Sequence, residues 1–446
     1  MEAVTELPRN AARRTAKLAA LPVAFAGRNA LGLGKRLGGK PAEAVMSEIQ
    51  QRTAEQLFRT LGELKGGAMK FGQALSVLEA ALPDELAAPY REQLTKLQDA
   101  APPMPTAVVR DQLAAELGRD WPQRLTWLDG GPTAAASIGQ VHRGTWADGR
   151  DVAVKVQYPG AADALVADLR QLSRVARTIG PLVPGIEVKP LIEELQARAV
   201  EELDYRLEAD AQRAFATAYE SDPEIDVPHV VDAAEKVLVT EWLDSAHSLA
   251  KVIAEGTQAE RDHYGALFAR FLFTGPAITG MLHSDPHPGN FRVIPAADGG
   301  LGRLGVLDYG AVARLDGGWP RSMGRLLRRA SDQDAEGLVE LLREEGFIRE
   351  RISLDPQLVL SYLAPFVEPA RTEEFQFSRE WMQGTFAAIN NPRDPAFTVG
   401  MKLNLPPAYL LIHRTWLGGL GMLSQLGTKA PFRQMLLDHL PGFAEG

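Results

Sequence analysis

The sequence contains no cysteine. Disulfides, thiolate zinc sites and cysteine nucleophiles are therefore excluded, and a reducing compartment is permitted without being required. It also lacks any uninterrupted apolar run of the roughly 20 residues that span a bilayer. The nearest candidates, GALFARFLFTGPAITGML (265 to 282) and AYLLIHRTWLGGLGML (408 to 423), contain Arg270 in the first and His413 and Arg414 in the second. Both read as buried helices. Basic charge is in deficit, with 48 Lys and Arg against 57 Asp and Glu and a formal charge of −9. That balance removes the general attraction to phosphate backbones on which nucleic-acid binders rely. The basic residues that do occur gather at the front, where residues 1 to 40 hold eight Lys and Arg against Glu2 and Glu6. The segment is thus +6, and the rest of the chain is −15. Within it, RRTAKLAALPVAFAG imitates a signal peptide, but Pro22 interrupts the short apolar stretch. The expectation is a flexible or amphipathic basic arm (1 to 41) on a cytoplasmic protein, able to touch an anionic membrane surface from outside.

A length of 446 residues with 45% hydrophobic content suits two or three domains with a substantial core. From Ala42 to about Leu82 the apolar spacing is helical, with Val45, Ile49, Leu57, Leu61 and Leu64 near three- and four-residue intervals. KGGAMKFGQ (65 to 73) interrupts it, APPMP (101 to 105) marks a linker, and TAVVRDQLAAEL (106 to 117) predicts another helix. A helical extension over 42 to 125 follows from this. The period then changes to two around TAAASIGQVHRGTWADGRDVAVKVQ (133 to 157), where an Asp-Gly between alternating runs predicts a hairpin. Helices are expected over 161 to 179 and 188 to 220, and strands at PHVVDA (228 to 233) and KVLVTEWL (236 to 243). Beyond 260 the pattern is helical except at NFRVI (290 to 294) and LGVLDYG (304 to 310). The order implies an α+β fold of two lobes, with a small sheet-bearing lobe over 126 to 243 and a helical lobe over 244 to 446.

Several residues fit phosphoryl transfer, which needs metal ions to neutralise phosphate charge, a cation on the nucleotide and a group to orient the nucleophile. In VAVKVQ the two-residue period sends Val152, Val154 and Val156 to one face, and Ala153 and Lys155 to the other. Lys155 then faces a nucleotide beside an alanine small enough to lie against adenine; a solvated strand lysine is the plainer alternative. EELDYRLEAD (201 to 210) supplies Glu202, Asp204 and Glu208. On one continuous helix Asp204 and Glu208 share a face while Glu202 lies about 120° from Glu208. Such a helix addresses two cations, unless it is only an acidic solvated face. In HSDPHPGN (283 to 290), Asp285 can orient a hydroxyl or water, and Asn290 with Asp308 of VLDYG offers hard oxygen ligands for magnesium. A rival reading joins His283, Asp285 and His287 as a two-histidine, one-carboxylate metal site, but it leaves Asn290, Asp308 and Lys155 without a role.

The ordered set KFGQ (70 to 73), AAASIGQVH (134 to 142), VAVK (152 to 155), ELDYRLEA (202 to 209), HSDPHPGN and LDYG (307 to 310) resembles the UbiB-type atypical kinases, also called AarF-domain-containing kinases, over residues 42 to 425. The resemblance implies a kinase-like fold with a helical N-terminal extension. It also implies ATP or ADP and Mg2+ as cofactors, Asp285 as catalytic aspartate, and Lys155 on the nucleotide phosphates paired with Glu208. Asn290 and Asp308 become the metal ligands. Ala134, Ala135, Ala136 and Ser137 occupy the phosphate loop, and Ala153, Glu241 and Leu243 border adenine, the last two at the interlobe hinge. Lys70, Gln73, Glu202 and Asp204 form a regulatory set in which Lys70 approaches Glu202. The phosphate loop carries alanines where ordinary kinases place glycines, and glycine alone folds cheaply around phosphates, so nucleotide handling should differ. Tyr309 stands where phenylalanine is usual. The implied function is a magnesium-dependent ATPase or small-molecule kinase in prenyl-lipid or quinone metabolism, with a lipid or quinone-precursor ligand. A protein kinase and a nucleotide-operated scaffold or chaperone are the alternatives.

Overall fold

The computed structural model describes residues 103 to 163 and 188 to 446, apart from Ser137, Asp316, Asn390, Pro392 and Gly446. The basic arm, the segment with Lys70 and Gln73, Ser137 and most of the helix expected over 161 to 179 lie outside the described residues. Helices of more than one turn are numbered below in chain order.

Helix α1 (Thr106–Leu117) has the predicted bounds. Strands β1 (Leu125–Leu128), β2 (Ala134–Ala136), β3 (Gly139–Trp146) and β4 (Asp151–Gln157) follow it. The β3–β4 hairpin pairs Thr145 with Asp151, and its tip is turned by Gly149, whose φ of 90° suits glycine. Val152, Val154 and Val156 are fully buried. They pack with Val109 and Leu113, which stand one helical turn apart on α1, so the helix seals one face of the hairpin. The expected lobe boundary at 125/126 falls at the start of β1, after this helix.

Gln140 and His142 alternate with the solvent side of β3 and are buried. The Met104 N–H donates to Gln140 Oε1 at 2.8 Å. Gln140 Nε2 donates to His142 Nε2 at 2.7 Å, and His142 Nδ1 donates to the Asp129 carbonyl at 3.1 Å. Half of the GQVH motif is therefore a closed internal network that anchors the incoming chain to the sheet. Replacing Gln140 with leucine strands the Met104 N–H and the His142 ring nitrogen. Unpaired buried polar groups cost about 1–3 kcal/mol, so Gln140→Leu should lower the urea midpoint accordingly. An unchanged midpoint would refute the anchoring role.

The helical run expected over 188 to 220 is two helices, α2 (Val188–Glu201) and α3 (Tyr205–Tyr219). Between them Asp204 caps α3, its carboxylate accepting the Arg206 N–H at 3.0 Å. Buried Gln157 holds the break from the sheet side by donating to the Leu203 carbonyl at 3.1 Å. Strands β5 (Ile225–Asp226), β6 (Val230–Ala233) and β7 (Val237–Glu241) come next. The small lobe is a six-stranded antiparallel sheet in the order β1-β3-β4-β7-β6, with β2 on β3.

The large lobe starts with β8 (His247–Ser248), α4 (Leu249–Glu255) and α5 (Gln258–Thr279). Strands β9 (Met281–His283), β10 (Phe291–Ile294), β11 (Arg303–Val306) and β12 (Val312–Arg314) carry the loops described below. Helices α6 (Arg321–Ser331), α7 (Ala335–Glu344), α8 (Pro356–Val367), α9 (Arg379–Ile389), α10 (Leu410–Leu426) and α11 (Phe432–His439) complete it. The helices α5 and α10, which hold most of the long apolar stretches 265 to 282 and 408 to 423, pack on each other in the lobe core. Arg270 on α5 is held by Asp222 at 2.8 Å and lies toward Glu224 at 3.4 Å. No helix among the described residues is long and apolar enough to cross a membrane.

Candidate active site

Lys155 projects from β4 on the face opposite the buried valines, and its side chain is only 14% exposed. Its Nζ donates to both oxygens of Glu208 on α3, at 2.7 and 2.9 Å, and lies 3.4 Å from Asp308 Oδ1. Burial opposes the charge on Lys155, but Asp308 and then Glu208 outweigh it and hold the ammonium protonated well above its ordinary range. The Tyr205 ring lies under the same nitrogen, with its centre 5.1 Å away. A lysine from the sheet, a glutamate from the helix and an aspartate from the large lobe thus meet at one point.

Asp308 follows β11 with a φ of 60°, a left-handed conformation that Asp and Asn tolerate better than most side chains. The Gly310 N–H donates to its Oδ1 at 3.2 Å, which closes the turn and aims the carboxylate. An added Cβ at Gly310 would stand 3.2 Å from both Asp308 Oδ1 and Glu208 Oε2. Tyr309 points the other way, into the core, beside Phe215 and His283 at 5.0 and 5.3 Å between ring centres. Its hydroxyl has no hydrogen-bond partner among the described residues, so it fills space as phenylalanine would.

Asp285 leaves β9 and is 5% exposed. Asn290 Nδ2 donates to Asp285 Oδ2 at 2.9 Å and to its carbonyl at 3.1 Å. Asn290 Oδ1 accepts nothing from the described residues. With the Asp308 carboxylate it makes a pair of hard oxygen donors suited to magnesium.

The rival metal triad does not assemble. His283 is buried among Phe271, Phe291 and Tyr309, and its Nε2 donates to the Leu307 carbonyl at 3.3 Å. Burial keeps this ring neutral by pushing its pKa down. His287 turns its Nδ1 to the Gly289 N–H. No cluster of three or more His, Cys, Asp or Glu able to hold a metal occurs among the described residues.

The acidic trio on one helix is also corrected. Only Glu208 stands in the cleft on α3, because the Asp204 carboxylate is spent on capping and on Arg206 at 2.8 Å. Glu202 lies in the turn before α3, and Lys70 and Gln73 lie outside the described residues. At the hinge, the Glu241 carboxylate pairs with Arg150 at 2.8 Å and its N–H donates to the His229 carbonyl at 2.9 Å. The Glu241 carbonyl accepts the Thr240 hydroxyl at 3.3 Å, and the Leu243 N–H has no acceptor among the described residues. Leu243 packs over Gly305, where an added Cβ would come within 2.3 Å of its Cδ2. Ala134, Ala135 and Ala136 form β2 against Val141, Gln140 and Gly139. Ala153 shares the cleft face of β4 with Lys155. Gly139 is required by packing, since a Cβ there would lie 2.3 Å from the Val156 carbonyl.

Sequence reasoning missed one residue. Arg414 of α10 donates through Nη2 to Asp285 Oδ1 at 3.2 Å, across 129 positions. No local pattern signals such a partner.

A domain described as ABC1 atypical kinase-like matches residues 96–342, more than half of the chain. The chain belongs to the ABC1 atypical kinase-like family. A Mycobacterium tuberculosis protein solved as the Rv3197–erythromycin complex is 41% identical, with a TM-score of 0.67, over 91% of this chain and 100% of that one. The atypical kinase coq-8, mitochondrial, of Caenorhabditis elegans is 30% identical over 72% of this chain. The atypical kinase COQ8, mitochondrial, of Schizosaccharomyces pombe is 26% identical over 92%. This ABC1 chain spans 42% and 66% of the lengths of those two relatives. The likeness to ABC1 kinases therefore covers the cleft residues, while Arg414 falls beyond the matched domain.

Proposed function

We propose that this ABC1 kinase binds magnesium-ATP in the cleft and hydrolyses it or transfers its terminal phosphate to a small molecule in prenyl-lipid or quinone metabolism. The observation that carries the reading is the meeting of Lys155, Glu208 and Asp308 at 2.7 to 3.4 Å beside the Asp285–Asn290 pair. Lys155 contacts the nucleotide phosphates while Glu208 keeps it in place. Asn290 Oδ1 and Asp308 would hold magnesium, which supplies neutralisation of the phosphate charge. Asp285 orients the attacking hydroxyl or water and accepts its proton. The lipid pathway rests on the family resemblance alone. Lys70 and Gln73 would regulate access together with Glu202, and the basic arm over residues 1 to 40 would bring the protein to anionic bilayers.

The test incubates purified protein with labelled ATP, with and without magnesium and anionic liposomes, and follows phosphate release beside label transfer to protein and lipid. Magnesium-dependent release that rises with liposomes is expected. Each Lys or Arg near an anionic surface contributes about 1 kcal/mol, and salt screens it. The stimulation should therefore disappear at high salt and on removal of residues 1 to 40. Label on protein would favour the protein-kinase alternative, and binding without release the scaffold. A second reading draws on the mycobacterial relative, whose solved complex contains erythromycin. Erythromycin added to the same assay should change phosphate release if this chain shares that ligand.

A further inference from the structure

We infer that Arg414 is a positioning residue of the active site, acting through Asp285; the inference rests on the phosphoryl-transfer reading above. Asp285 is 5% exposed, and its two carboxylate oxygens are held by different parts of the large lobe. Asn290 takes Oδ2 at 2.9 Å and Arg414 takes Oδ1 at 3.2 Å. A carboxylate gripped at one oxygen still swings about its terminal torsion, which is broad in side chains of this type. Gripped at both, it has one orientation, and each oxygen keeps a second lone pair for a hydroxyl proton.

Arg414 has no carboxylate on its own helix to occupy it. Its neighbours three and four positions away are Leu410, Leu411, Leu417 and Gly418, so α10 presents the guanidinium with no helix-surface ion pair. Its one hydrogen bond among the described residues goes to Asp285. That hydrogen bond goes to Asp285 and not to Lys155, the phosphate-contacting residue, which predicts an effect on turnover rather than on nucleotide affinity. Through this contact the orientation of Asp285 depends on a helix that lies past the matched ABC1 domain.

The experiment compares the full-length parent with Arg414→Met and Arg414→Lys for magnesium-ATP affinity, turnover number and thermal midpoint. Arg414→Met should keep magnesium-ATP affinity within about twofold and lose roughly 10- to 100-fold in turnover, part of what a positioned general base contributes. Arg414→Lys, which restores a donor but not the fork, should recover part of that loss. An active parent whose Arg414→Met variant turns over ATP within about twofold would overturn this inference alone. So would parallel loss of affinity and turnover with no recovery in Arg414→Lys, since that is the signature of general damage. A parent with no ATP turnover would overturn the phosphoryl-transfer reading, and the role of Arg414 with it.

Discussion

Lys155→Met should abolish most turnover and measurably destabilise the fold. The variant leaves Glu208, which is 5% exposed, without the ammonium now 2.7 Å from it. Asp308 loses the same neighbour. Removing one partner of a buried ion pair costs up to about 3–5 kcal/mol, because a buried carboxylate loses a counter-charge. The unfolding free energy from urea titration at neutral pH should fall by an amount of that order, seen as a lower midpoint. Turnover should fall roughly 10²- to 10³-fold, as on losing one preorganised charge contact to a transition state. A variant with parental stability would show that Lys155 and Glu208 do not depend on each other.

Asp308→Asn should produce the opposite profile, with chemistry lost and the fold kept. Asparagine accepts the left-handed φ of 60° at this position. Lys155 retains Glu208, so the unfolding free energy should stay within about 1 kcal/mol of the parent. The lost carboxylate charge would weaken the hold on magnesium. A loss of roughly 10³-fold in turnover corresponds to about 4 kcal/mol of transition-state stabilisation, within what a bound metal supplies. Titration with magnesium at fixed ATP should need far more metal to reach half-maximal binding. Parental magnesium dependence in this variant would remove Asp308 from the metal site. Together the two substitutions separate a residue on which the cleft's stability depends from one needed only for its chemistry.

The sequence by itself determined what depends on short-range period and spacing. The alternation through Val152 to Lys155 placed the lysine opposite the core because strand side chains must alternate. Asp-Gly at 148 and 149 set the hairpin. Asp285, Asn290 and Asp308 were recognisable because their side-chain chemistry and order along the chain suit phosphate handling. Tertiary structure decided the rest. Asp204 and Glu208 share a face only if the helix is continuous, and a capping carboxylate with a buried Gln157 pulling on Leu203 broke it. His283, Gln140 and His142 have the side chains of ligands, yet burial and backbone partners made them internal ties. Arg414 reads locally as an interruption in an apolar helix. Its partner lies 129 positions away, and only the packing of α10 into the large lobe brings the two charges together, where burial of Asp285 makes a specific donor necessary.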